Sequence, residues 1–161
     1  MNPIVERCEL GSGLSISRVL TGLWQIADME RDGRTLDLER TSQAMAPYVE
    51  AGLTTFDMAD HYGSAEEVAG LFTANRAAGP DVQLLTKWVP KPGAVRPQDV
   101  RQAVERALAR LRVSTLDLLQ FHAWSYSDPS YLDALFHLQE LQREGMIRGL
   151  GLTNFDTAHL R

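Results

Sequence analysis

The stretch Thr54-Thr55-Phe56-Asp57-Met58-Ala59-Asp60-His61-Tyr62-Gly63 reads as a short β-branched and aromatic strand that ends on a carboxylate and turns tightly to deliver a tyrosine before Gly63. Two later strand-like segments also stop on polar groups, Gln83 to Lys87 on a lysine and Leu116 to His122 on a histidine. In a barrel of parallel strands, the carboxyl ends of the strands and the loops after them line one cavity, so Asp57, Tyr62, Lys87 and His122 are expected to converge there. The chemistry of such a set is proton transfer. A phenol ordinarily titrates near pH ~10, and an adjacent ammonium in a water-poor cavity is expected to lower that value. Lys87 is the candidate ammonium, and Asp57 the carboxylate that keeps it charged and oriented.

The elements that must carry these groups alternate. Strands are expected at Val19 to Leu23, Leu53 to Asp57, Gln83 to Lys87, Leu116 to His122 and Met146 to Thr153. A helix from Leu38 to Glu50 stops at Gly52, with Pro47 imposing a kink or a late start. A second runs from about Ser64 to Ala77, with Ser64 as its cap and Glu66 and Glu67 complementing its positive end. Pro97 opens a third, whose stripe of Val100, Val104, Leu108 and Leu111 faces the sheet. Asp128 and Pro129 open a fourth, with Leu132, Leu135, Leu138 and Leu141 recurring along it and Gly145 ending it. A Gly11-Ser12-Gly13 turn marks an N-terminal hairpin expected to cap the closed end of the strands. The fold class is therefore α/β with parallel strands and right-handed crossovers. A (β/α)8 TIM-barrel type is preferred to a doubly wound open sheet, because no Gly-x-Gly-x-x-Gly follows any strand. Period-two alternation turns His122, Gln120, Leu118 and Leu116 inward with Lys87, Leu85, Asp57 and Thr55.

In motif and order the chain resembles the first half of an aldo-keto reductase. The matching segments are FDMADHYG around Asp57 and Tyr62, TKW at Lys87, LDLLQFHAW at His122 and GMIRGLGLTNF near the end, within about Arg18 to Phe155 of a single domain spanning 1–161. The resemblance implies a nicotinamide-dependent oxidoreductase that interconverts aldehydes or ketones and alcohols, using NADP(H) in preference to NAD(H). It implies Asp57, Tyr62, Lys87 and His122 as the catalytic tetrad, with Tyr62 giving the proton and His122 orienting the substrate carbonyl. Gly22, Trp24, Asp57, Thr153 and Asn154 would contact the cofactor, Thr153 standing where serine is more usual. Trp24, Trp88 and Trp124 would line the pocket for a small carbonyl substrate. Trp24 and Trp124 also read as ordinary packing residues.

A closed barrel of this kind takes roughly 250 residues, and 161 are present, giving the first five strands and four helices. An incomplete barrel is expected to leave its outer strands unpaired and inward residues such as Leu85 and Leu118 without an opposite wall. Self-association or a complementary barrel half would relieve both. The second functional class is accordingly a truncated, non-catalytic or cofactor-sensing member acting through protein association. A net charge of -5 argues against a nucleic-acid partner, and the arginines between Arg101 and Arg112, interleaved with Glu105, read as a solvated helix face. Hydrophobic residues at 44% and charged residues at 23% suit an ordered globular chain. A single cysteine, Cys8, and the lack of an apolar signal or spanning run point to a cytoplasmic protein with no membrane partner. Asp57, Asp60, His61 and His122 could in principle ligate a metal, but no His-x-His strand supports that, and no metal is expected. His61 reads as a loop or pocket-wall residue, and His137 and His159 as surface residues.

Overall fold

A computed structural model describes residues 5–76, 79–91, 93–123, 125–127 and 129–160, without the side chains of Ser12 and Asp32. Thr21–Gly22 (β3), Thr55–Asp57 (β4), Gln83–Trp88 (β5), Leu116–His122 (β6) and Ile147–Thr153 (β7) form one parallel sheet, adjacent in chain order. A doubly wound sheet reverses its strand order at a switch point, and this order never reverses, so the sheet is an arc of a (β/α) barrel. Arg7–Leu10 (β1) and Leu14–Ser17 (β2) form a separate antiparallel hairpin. Among the described residues no helix is long and apolar enough to cross a membrane.

The sheet has two faces because its side chains alternate. On the outer face Phe56, Leu84, Leu119 and Phe121 pack with Val68, Ala69 and Phe72 of helix Ala65–Asn75 (α4) and with Val100, Val104 and Leu111 of helix Pro97–Leu111 (α5). Ala134, Leu138 and Leu141 of helix Ser130–Arg143 (α6) extend the same cluster. Leu132, the first of the recurring leucines, is exposed, and the buried stripe runs through Ala134 instead. Leu116 joins this outer cluster at the strand's start, against the expected inward direction.

On the inner face the register stacks layers. Asp57, Leu85, Leu118 and Gly149 share one level, Lys87, Gln120 and Gly151 the next, and His122 and Thr153 the last. The glycines keep this level open: a Cβ on Gly149 would stand 3.0 Å from Leu118 Cδ1, and one on Gly151 3.2 Å from Gln120 Cγ, both tighter than ordinary contact.

Beneath these layers lies the hairpin. Leu14 and Ile16 bury Leu85, with Leu118 partly buried against them, so the expected bare inner wall is covered at this level. Arg7 fastens the hairpin by donating to Thr54 Oγ1 at 2.8 Å and Gln83 Oε1 at 2.9 Å, while the Ser17 amide donates to Thr55 Oγ1 at 2.8 Å. One end of the sheet is thereby covered, and the inward polar groups gather toward the other.

Several expected boundaries move. The first barrel strand is only Thr21–Gly22, Val19 being exposed, as suits an edge strand paired on one side. Six α-helices precede β7 among the described residues where four helices were expected. Trp24–Met29 (α1) forms in part within the anticipated loop, and the helix containing Pro47 is split into Leu38–Gln43 (α2) and Ala46–Glu50 (α3). Pro47 sits in the first turn of α3, where its missing N–H costs nothing. Ser64 makes no side-chain cap on α4. Its hydroxyl instead donates to Glu30 Oε1 at 2.6 Å and its amide to Glu30 Oε2 at 2.8 Å, tying the loop before α4 to the end of α1. Ala77 and Asp128, expected helix-end residues, lie outside the described residues.

Helices α4 and α5 approach most closely at Gly70, where a Cβ would lie 2.2 Å from the Arg110 carbonyl oxygen and 2.8 Å from the Leu111 carbonyl carbon. Backbone cannot yield as a side-chain tip can. Gly70→Ala is therefore expected to destabilise the chain by about 3 kcal/mol, read as a lowered denaturation midpoint.

Candidate active site

Asp57 ends β4, and Lys87 lies near the end of β5, one layer above it. The Lys87 ammonium reaches back to donate to both Asp57 carboxylate oxygens at 2.7 Å and to the Met58 carbonyl at 2.9 Å. All three of its protons are thus directed. Gln120 Nε2 adds a fourth contact to the pair, donating to Asp57 Oδ1 at 3.3 Å. The Lys87 side chain is 10% exposed and that of Asp57 29%, so the pair is sheltered, with the carboxylate nearer the opening.

Tyr62 arrives on the loop after β4. Its amide donates to the Ala59 carbonyl at 3.1 Å and its own carbonyl accepts from Ala65 at 3.0 Å, so a tight turn runs directly into α4. The ring lies edge-on to Trp24 at 4.7 Å and to His61 at 4.8 Å, and Lys87 Nζ is 5.3 Å from its centroid. Burial and the facing Asp57 carboxylate both raise the Tyr62 hydroxyl above its ordinary value of 10.0. This reverses the expected lowering by Lys87. The ammonium is neutralised by the carboxylate it grips, and what the phenol meets is desolvation together with a negative charge.

His122 closes β6 beside Thr153 in register. Its Nε2 lies 2.7 Å from Nδ2 of Asn154, an amide that can only donate, so that ring nitrogen accepts and the imidazole is neutral. Its pKa is lowered, first by burial and then by the charges of His61 and Lys87, which favours the same neutral form. The His61 ring stands 6.0 Å away with Nδ1 at 2.9 Å from Asp60 Oδ1, making His61 a wall of the same site.

The cofactor candidates fall around this opening. Gly22 pairs with Asp57 in register, and a Cβ there would meet nothing within 4 Å, leaving open space above the edge of the site. Asn154 adopts the left-handed conformation, with φ 63°, which turns its amide back onto His122. Trp24 is 42% exposed beside Tyr62 and so presents a large apolar face to an entering molecule.

Trp88 is separated from the set. It neighbours inward Lys87 on a strand, so it must point outward, where it is buried 5.8 Å from Phe121 and cannot line the inner pocket. Trp124 lies outside the described residues.

Two residues make contacts in the structure that their sequence positions only partly indicate. Gln120 is recognisable from its parity with His122, which aims it at Asp57. Glu66 reads from sequence as a helix-end carboxylate, yet it is 2% exposed and accepts from Thr86 Oγ1 at 2.7 Å and from Arg110 at 3.2 Å. The available signal is Gly70 one turn along from it, marking a face of α4 that another helix must approach.

Comparison with known proteins agrees with this arrangement. The model of the Aldo/keto reductase family matches residues 18–161. The aflatoxin B1 aldehyde reductase member 2 of Rattus norvegicus is 31% identical over 127 residues, covering 76% of this chain and 34% of that protein. An aldo-keto reductase of Mycobacterium sp. (strain KMS) is 30% identical over 154 residues, 94% of this chain and 51% of that protein. Among solved structures, an aldo-keto reductase from Klebsiella pneumoniae in complex with NADPH superposes with a TM-score of 0.76 at 25% identity, over 98% of this chain and 52% of that one. The chain spans about half the length of these two bacterial proteins, or less of the rat protein. Matched by the family's model from Arg18 onward, the chain belongs to the aldo/keto reductase family.

Proposed function

We propose that this chain carries the catalytic face of an NAD(P)H-dependent carbonyl reductase, with Tyr62 as proton donor. The observation that carries the reading is the Asp57–Lys87 pair set beneath Tyr62, with neutral His122 on the adjacent strands. A bound nicotinamide would supply the hydride. Gly22, Trp24, Asp57, Thr153 and Asn154 border the open end of the strands and fit a flat, amide-bearing ring, Asn154 offering a carboxamide partner once it leaves His122. NADP(H) is preferred to NAD(H), in keeping with the NADPH complex of the Klebsiella protein.

Each residue has a separate task. Once Asn154 leaves it, His122, neutral with its proton moved to Nε2, would donate a hydrogen bond to the substrate carbonyl oxygen and orient it. Tyr62 gives that oxygen its proton as negative charge builds there. Lys87, held by Asp57, supplies a fixed positive charge that stabilises the phenolate left behind. The exposed face of Trp24 favours a small apolar or aromatic carbonyl compound. Aldehyde reduction is the activity in the name of the rat relative, and a methylglyoxal reductase of Yersinia pestis is 26% identical over the whole chain.

In the sheet, β3 and β7 are the two edges. A second copy of the chain or a complementary barrel half would pair them. The mass in solution of the purified chain is accordingly expected to exceed that of one copy, and a strictly monomeric, folded sample would overturn this part of the reading.

Tyr62→Phe is expected to lower NADPH-dependent reduction of an aromatic aldehyde about a thousandfold while leaving NADPH affinity within about twofold. Retained turnover would remove Tyr62 as donor. The raised Tyr62 pKa keeps the donor protonated through neutrality and up to its ordinary value of 10.0, and the lowered His122 pKa keeps the imidazole neutral down to below its ordinary 6.5. Carbonyl reduction should therefore be flat from about pH 7 to about pH 9 and lose its alkaline limb only beyond that. A loss centred near neutrality in kcat/KM would contradict these assignments.

A further inference from the structure

Behind the site, on the outer face of the sheet, a buried polar cluster connects to the tyrosine loop. Glu66 of α4 is 2% exposed. One of its oxygens accepts from Thr86, the residue before Lys87, and the other from Arg110 of α5. The same Arg110 nitrogen, at 3.2 Å from Glu66, donates at 3.2 Å to the main-chain carbonyl of Asp60. Glu67 approaches Arg110 Nε at 3.9 Å from the outer side. Asp60 is also gripped by its amide, which donates to the Lys87 carbonyl at 3.0 Å, and by its carboxylate, which meets His61 at 2.9 Å and the Val89 amide at 3.4 Å.

We propose that Glu66 and Arg110 are positioning residues that hold the Asp60-His61-Tyr62 segment over Lys87 from behind the sheet; this rests on the carbonyl-reductase reading given above. A carboxylate this deeply buried is costly unless every lone pair in reach is engaged. A structural pin between α4 and α5 needs only the Glu66–Arg110 contact. The guanidinium instead spends a donor on the carbonyl of the residue two before Tyr62, and Glu66 fixes it in the orientation that does so. Thr86 ties the same carboxylate to the strand that carries Lys87. One buried group thereby references both the phenol's loop and the ammonium's strand to a common point. The close approach at Gly70 keeps α4 and α5 near enough for the fork to span them.

The test uses the full chain with Arg110→Met, Glu66→Gln and the double variant. Substituting the 37%-exposed Arg110 side chain leaves the apolar core in place, and Glu66→Gln keeps shape and an acceptor. With 4-nitrobenzaldehyde and NADPH, each single variant is expected to lose about tenfold in kcat with KM and NADPH affinity within about twofold, as misplacement of a reacting group does. The double variant should lose no more than Arg110→Met alone, because Glu66 acts through the guanidinium. Losses that multiply, or that appear in KM alone, would overturn the proposal. The imidazole C–H resonances of His61 and His122 provide a reading independent of turnover. They should shift in both single variants while those of His137, on α6, stay in place. Unmoved His61 and His122 resonances in folded variants overturn the positioning role even if the wild-type chain turns nothing over. Wild-type inactivity with shifted resonances would instead fault the carbonyl-reductase reading alone.

Discussion

The ion pair between Asp57 and Lys87 is the constraint on which the inner face depends. Its members come from adjacent parallel strands, and Lys87 Nζ spends its protons on two carboxylate oxygens and one carbonyl. Removing one partner of such a pair typically costs about 3–5 kcal/mol, because the other charge is left buried. The pair therefore demands a firm sheet and a dry floor. The hairpin supplies the floor: Leu14 and Ile16 fill the space against Leu85, and Arg7 anchors them through Thr54 and Gln83. The lower inner face is apolar and buried at Leu85, while the Asp57 carboxylate is partly exposed.

The sheet is polar on its inner face only toward one end, and this division follows from register. Asp57, Lys87 and His122 climb by a layer per strand, with Gln120 level with Lys87 on the same side. The small inward residues of β7, Gly149 and Gly151, leave room for Leu118 and Gln120 to lie flat against the sheet. A Cβ at either position would crowd Leu118 or Gln120. Glycine thus contributes to the site by absence of side chain.

Much of this was legible because alternation holds along these strands wherever the site residues sit, failing only at Leu116 at the start of β6. The inward set of Asp57, Lys87, Gln120 and His122 follows from parity alone. Trp88 shows the rule's authority from the other side: its parity opposed the pocket role that the family resemblance implied, and the structure follows parity. Helix ends were harder to read, since Ser64 had a stronger competitor for its hydroxyl in Glu30, a residue thirty-four positions away that no local pattern reveals. Glu66 was misread for a related reason. Charge near a helix start is usually solvated, and only the approach of α5 at Gly70 turns this one into a buried acceptor.

The misjudged direction of the Tyr62 shift has the largest consequence. A lysine considered alone lowers a phenol's pKa, but a lysine saturated by a carboxylate presents a pair, and the negative member faces the tyrosine. The resting phenol consequently keeps its proton. In the proposed reaction this suits the reductive direction, where the group must arrive protonated and give its proton only as charge develops on the carbonyl oxygen. Lys87 then matters at the moment of transfer, when the phenolate forms on a ring whose centroid lies 5.3 Å from a charge that was in place beforehand and need not reorganise. A neutral His122 completes the logic, since burial first, and then the charges of His61 and Lys87, lower its pKa and disfavour an imidazolium there.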